Sequence, residues 1–279
     1  MRRIELAKTG EQISILGQGL WGVSRLKGYF YRKKYYDKIK SALRKGIELG
    51  MTHIDTAEFY GWGKAEEVLG ELIKEYQRDD LFITSKLFPI HLGKKSMIKA
   101  ANRSLKRLGI DYLDLYLIHW PSRFISIIKE MNVLETLVNK GKTRYIGVSN
   151  FSVKQFITAQ ESLRKEELVN NQLHINITNQ KYIHNSLSYY QKNGITVTAY
   201  SPLAHKGYTK LEGELKKTLE GLAKKYHSTI QQIAIAWLIN HKNIISIPKS
   251  FSKVHVEDNA KAEEILLSPG DIKLLYKFK

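Results

Sequence analysis

Residues 17–22 read GQGLWG, which matches the G-x-G-x-x-G spacing of a dinucleotide-binding turn. Such a turn opens a helix at its last glycine, and an acidic residue about 20 positions on closes the next strand. Here the following run is VSRLKGYFYRKKYYDKIKSALRKGIELG, in which apolar helix periodicity begins only around Asp37. Asp37 therefore opens a helix instead of ending a strand, and the glycines need another explanation. GQGLWG reads instead as the end of a first strand and the turn after it.

Outward from that strand, short apolar runs rich in β-branched and aromatic residues alternate with amphipathic stretches. THIDTA, LFITSK, YLDLYLIHW, RYIGVSN, NNQLHIN, TVTAYS and IISIPKS are of strand type. Between them lie helical patterns such as AEEVLGELIKEYQ, SMIKAANRSLKRLG, MNVLETLVNKG and STIQQIAIAWLINHK. Apolar strands separated by helices imply parallel strands buried on both faces. Eight such units in 279 residues predict an α/β chain folded as a (β/α)8 TIM barrel, with a doubly wound sheet as the structural alternative. The leading residues 1–16 carry a KTGE turn between two alternating segments and read as an N-terminal β-hairpin. No linker or low-complexity run interrupts the chain, so one domain is expected over 1–279.

Composition narrows the chemistry. There is no cysteine, which excludes disulfides, thiolate metal sites and thiol nucleophiles. No apolar run approaches a membrane span, and the two arginines at the start are not followed by an apolar signal region, so a cytoplasmic protein is expected. The formal charge of +18 raises nucleic acid as a partner, and the aromatic, basic segment 25–36 is the best local candidate. The basic residues recur along the whole chain, however, as they do on solvated helix faces.

In a barrel of this kind catalytic groups sit where strands end and loops begin. That rule selects Asp55, Lys86, His119, Ser149, Asn150, Gln172, Tyr200, Lys249 and Ser250, with Tyr60 five residues after Asp55. Each has a bland reading: His119 as a satisfied core histidine, Asp55 as a helix cap, Lys86 as a surface lysine, Tyr60 as a loop aromatic. No metal is expected, because His119 has no partner at ligand spacing. Together the four fit one task. An ammonium beside a tyrosine stabilises its phenolate and lowers a pKa that is ordinarily near 10. Asp55 would hold Lys86, and a neutral His119 would donate to a substrate oxygen. Such a set protonates an oxygen that gains negative charge, as a carbonyl does on accepting hydride from a nicotinamide.

The sequence resembles the aldo-keto reductase family over essentially its whole length, through GQGLWG, HIDTAEFYG, TSKL, DLYLIHWP, GKTRYIGVSNF, NNQ, TAYSPLA and IPKS in the family's order. The separations of 5, 26 and 33 residues along Asp55, Tyr60, Lys86 and His119 fit the family's catalytic tetrad. By that resemblance Tyr60 is the general acid, Lys86 and Asp55 tune it, and His119 orients the carbonyl. Ser149, Asn150 and Gln172 would hold the nicotinamide carboxamide, Tyr200 would stack on its ring, and Leu20 and Trp21 would line the pocket. Ser201 and Leu203 would follow the pyrophosphate, Lys249 and Ser250 the adenosine 2′-phosphate, and Asn259 the adenine.

NADPH is therefore implied over NADH. The preference is softened by His255, which stands where many NADPH-preferring members carry arginine. Trp21, Trp62 and Trp120 would shape the substrate pocket. A short segment after DLYLIHWP and an end at LLYKFK without a long tail imply little lid, hence broad acceptance of aldehydes and some ketones. A monomer is expected. The alternatives are a cofactor-binding regulatory protein on the same fold with little turnover, and a nucleic-acid binder resting on charge alone.

Overall fold

The computed structural model describes residues 1–24, 29–204, 208 and 211–278, and of residues 29–32 the backbone alone. Two short strands, β1 (Arg3–Glu5) and β2 (Gln12–Ser14), form an antiparallel hairpin with Ile4 opposite Ile13. Gly10 takes the turn position at φ +77, where a side chain is disfavoured.

Eight parallel strands follow: β3 (Gln18–Gly19), β4 (His53–Asp55), β5 (Phe82–Leu87), β6 (Leu113–Ile118), β7 (Thr143–Ser149), β8 (Leu168–His174), β9 (Thr196–Tyr200) and β10 (Ile244–Ile247). Each pairs with its neighbour in sequence, β3 with β4 through to β9 with β10. A parallel bridge between Leu16 and Ser246, with Gly17 N–H donating to the Ser246 carbonyl at 2.8 Å, closes the ring. The result is a (β/α)8 barrel with a hairpin added in front.

The glycines of GQGLWG now have a physical reason. A Cβ on Gly17 would lie 2.8 Å from the His53 carbonyl oxygen, and Gly22 has φ +93 in the turn that follows. They let strands approach at the seam and let the chain reverse; no helix begins there. The next helix, α1 (Tyr29–Glu48), starts well before Asp37, where apolar periodicity places it. The Tyr35 and Tyr36 hydroxyls donate to the carbonyls of Gly22 and Ser24, anchoring its first turns to that loop. Residues 25–28 of the aromatic, basic segment lie outside the described residues.

The other main barrel helices are α2 (Lys64–Ile73), α3 (Lys94–Leu108), α4 (Ile127–Asn139) and α5 (Val153–Glu161). After β8 come α6 (Lys181–Asn185) and α7 (Leu187–Asn193), and after β9 α8 (Gly213–Lys225) and α9 (Ile230–Ile239). The chain then adds α10 (Lys253–Ala260) and α11 (Pro269–Leu275). Capping boxes, Ser152 with Gln155 and Thr229 with Gln232, fix where α5 and α9 begin. Among the described residues no helix is long and apolar enough to cross a membrane.

One end of the barrel is sealed. Leu6 and Ile13 of the hairpin pack with Phe82, Leu115, Leu117, Val169 and Ile245 in one buried cluster. The C-terminal end, opposite the hairpin, opens to solvent.

Candidate active site

At the open end a cavity of about 800 Å³ runs from the barrel axis to the start of α10. Its floor holds Asp55, Tyr60, His119 and Gln172, with Lys86 directly beneath them. Lys86, on β5, is fully buried, which rules out a surface lysine. Its ammonium donates to Asp55 Oδ1 at 2.5 Å, to the Thr56 carbonyl at 2.9 Å and to the Tyr60 hydroxyl at 3.2 Å. All three N–H bonds of a lysine are thereby used. Asp55 Oδ2 accepts Gln172 Nε2 at 2.7 Å, so the carboxylate is held from two strands and does not cap a helix.

The Tyr60 oxygen accepts from Lys86 and keeps its own hydrogen for an acceptor in the cavity. Burial, with Asp55 adding to it, pushes the Tyr60 phenol well above its usual pKa. This corrects the expectation that Lys86 lowers it. Burial also lowers Lys86 against the pull of Asp55, and in the resting site the cost of burying a phenolate outweighs the attraction of the ammonium beside it. Tyr60 thus rests as a neutral proton donor.

His119 follows β6 and is 4% exposed. Burial, aided by the Lys86 charge, lowers its pKa to about 2, so the ring is neutral. Its Nδ1 is buried without a partner among the described residues, unlike that of a satisfied core histidine. An unpaired lone pair costs less there than an unpaired N–H, which assigns the hydrogen to Nε2. Trp120 lies against the His119 ring, with centroids 3.7 Å apart.

Beside this floor is a preformed polar network. Ser149 Oγ donates to the Gln172 carbonyl, and Asn150 Nδ2 donates to the His119 carbonyl and to Ser149 Oγ. The Tyr200 hydroxyl donates to Asn150 Oδ1 at 2.9 Å. Asn150 and Ser201 hold φ of 62 and 51, in the left-handed region. Toward the outer end the lining passes through Ser201 and Leu203 to Lys249, Ser250, His255 and Asn259. Lys249 and His255 are exposed, Ser250 is half-buried, and Asn259 is buried.

Two expected pocket residues lie elsewhere. Leu20 is fully buried in the core behind Trp21 and does not line the cavity. Trp62 is 65% exposed, outside the cavity lining, and meets Phe59 edge-on at 5.5 Å. Trp21 and Trp120 do line it.

Sequence reading missed His174, Thr229 and Gln231 in the wall. The His174 ring lies parallel to Tyr200 at 5.2 Å. It was within reach, because residues two apart on a strand share a face, as Gln172 and His174 do on β8.

Comparisons with known proteins bear on this geometry. The family model described as Aldo/keto reductase family matches residues 16–279. Methylglyoxal reductase YeaE of Escherichia coli is 36% identical, covering 85% of this chain and 83% of its own length. Glyoxal reductase of Bacillus subtilis is 34% identical, covering 85% and 80%. Among solved structures, a thermostable aldo-keto reductase bound to the inhibitor epalrestat superposes with a TM-score of 0.92 at 40% identity, covering all of both chains. An aldo/keto reductase from Klebsiella pneumoniae in complex with NADP and acetate gives 0.86 at 33% identity, covering 95% of this chain and 91% of its own.

Proposed function

The chain belongs to the aldo/keto reductase family, and we propose that it reduces aldehydes and some ketones to alcohols with broad specificity, preferring NADPH as hydride donor. It is an NAD(P)H-dependent oxidoreductase. The observation that carries the finer reading is the buried lysine that bonds Asp55 and Tyr60 at once, at the floor of a cavity reached by His119.

The residues present fit a dinucleotide phosphate. Apart from Asp55, which is paired with Lys86, neutral hydrogen-bonding groups line the barrel axis, while a cation, a hydroxyl and the first turn of α10 gather at the outer end. Ser149, Asn150 and Gln172 would hold the carboxamide, their mutual bonds fixing where it meets them. Tyr200 would stack on the nicotinamide ring, backed by His174. Ser201 and Leu203 would follow the pyrophosphate, and Asn259 the adenine. Lys249, Ser250 and His255 would meet the 2′-phosphate, a charge-assisted contact that NADH lacks. When bound, the cofactor supplies hydride to the carbonyl carbon.

The chain's own part is the proton. His119 Nε2–H donates to the substrate oxygen and aims it at Tyr60. The Tyr60 hydrogen, unclaimed by any acceptor among the described residues, passes to that oxygen as negative charge builds on it. The phenolate left behind is stabilised by Lys86, whose position Asp55 and the Thr56 carbonyl fix.

The test follows reduced-cofactor absorbance with a panel of aromatic and aliphatic aldehydes, including methylglyoxal because two relatives carry related activities in their names. Turnover is expected with NADPH, at a kcat/KM at least about tenfold above that with NADH. Equal rates with both cofactors contradict the 2′-phosphate assignment, and no carbonyl turnover by any of them contradicts the reading.

A further inference from the structure

Away from the catalytic cavity, a groove of about 710 Å³ lies between α3 and α4. Its apolar side is made by Met97, which is buried, with Ile125 and Leu92, the last 64% exposed. Four cations border it: Lys94 in the first turn of α3, Lys129 on α4, and Arg164 and Lys165 after α5. All four are exposed, and among the described residues none of them forms an ion pair. The carboxylate in the wall, Glu135, is already engaged, accepting the backbone N–H of Arg164 at 2.6 Å and of Lys165 at 2.9 Å. It locks the two cations' backbone in place and attracts Arg164, and with four cations against one carboxylate the rim stays positive. Asn132 and Thr136 add polar groups from α4.

A cationic rim over an apolar wall discriminates on both counts. An inorganic anion leaves the apolar side hydrated, and a neutral hydrophobe leaves the cations without a counter-charge. We propose that this groove is a second ligand site, for a small organic anion with an apolar body, such as a medium-chain carboxylate.

Two loops connect the groove with Trp120 in the wall of the catalytic cavity. Residues 88–93 run from Phe88, which packs on Trp120 at 5.9 Å, to Leu92 and Gly93 in the groove. Glu58, two residues before Tyr60, accepts the Phe88 N–H at 2.7 Å and bonds His91 Nε2 at 2.9 Å, bracing that loop. Residues 120–125 run from Trp120 in the cavity wall to Ile125 in the groove wall. There Ser122 Oγ accepts the N–H groups of Phe124 and Ile125, and Glu130 Oε1 accepts the Ser122 N–H. An occupant of the groove touches the far ends of both loops, so it changes KM for carbonyls that reach Trp120 more than it changes kcat.

Hydrogen exchange of the full chain with decanoate tests the site without any turnover, so it succeeds or fails independently of the carbonyl-reductase reading. Slower exchange is expected in the first turns of α3, along α4 and at 163–166. The double variant Lys129→Glu/Arg164→Glu, changed only at the exposed rim, is expected to bind decanoate at least about tenfold more weakly. Protection confined to the catalytic cavity, equal affinity in the variant, or inorganic phosphate binding as tightly as decanoate each overturns the proposal. The coupling, which rests on the proposed activity, is read with a bulky aromatic aldehyde: decanoate shifts KM at least about twofold in the wild type and not in the double variant. An equal shift in both, or none in the wild type, contradicts it.

Discussion

The two ends of the barrel are built from the same strands and do opposite things. At the N-terminal end Leu6 and Ile13 descend from the hairpin onto Phe82, Leu115 and Val169, and all five are buried. At the C-terminal end those strands lead to Lys86, His119 and Gln172, and among the described residues the apolar seal of the other end has no counterpart. A buried ammonium and carboxylate are costly to desolvate, by several kcal/mol per ion before their attraction is counted. Apolar burial at the closed end offsets that cost. Stability and chemistry are thereby separated along one axis, and substitutions at the two ends should separate in the same way.

The sharpest separation is expected from Leu6→Ala. Removing a fully buried leucine side chain should lower unfolding free energy by roughly 2–5 kcal/mol, read by denaturant unfolding, while kcat at a permissive temperature is unchanged. A loss of kcat without a loss of stability breaks the division.

Acid should act on the barrel interior next. Burial lowers His53 to about 4, although Asp55 pulls the other way. Its ordinary pKa is near 6.5, so the unfolded chain binds the extra proton between these values. Stability present above pH 6.5 is then lost as pH falls toward 4, by roughly 3 kcal/mol from this group. His119, lowered to about 2, acts in the same direction to lower pH. His53→Asn should flatten the fall in Tm between pH 6.5 and 4.5; an unchanged slope contradicts the assignment.

At the open end's outer limit the effect is smaller. Lys249→Ala should weaken NADPH about tenfold, measured by cofactor fluorescence titration, and leave NADH nearly unchanged. Equal loss for both cofactors places Lys249 away from the 2′-phosphate.

The barrel and the floor of the site were legible in the sequence for a shared reason: strand ends in a parallel barrel all face one mouth, so polar residues closing apolar runs are brought together by topology. Asp55, Lys86, His119 and Gln172 needed no further information. What pattern did not give was orientation and electrostatic balance. Trp62 sits one residue beyond Gly61 at φ 56, which turns it to the surface, and spacing carries no sign of that. The start of α1 was hidden because tyrosines bonded to loop carbonyls, in place of a repeating apolar stripe, fix its first turns. The state of Tyr60 depends on how deeply Lys86 and Asp55 are buried, which residue identity leaves open.

The central claim is that Tyr60 supplies the proton from a site whose cofactor shelf is built independently of it. Tyr60→Phe keeps the ring beside Trp21 and His119 and removes only the hydroxyl that Lys86 addresses. Aldehyde turnover and NADPH affinity, measured side by side on wild type and variant, decide it. Turnover lower by at least about 10²-fold with NADPH binding unchanged is the predicted result; turnover retained in the phenylalanine variant contradicts it.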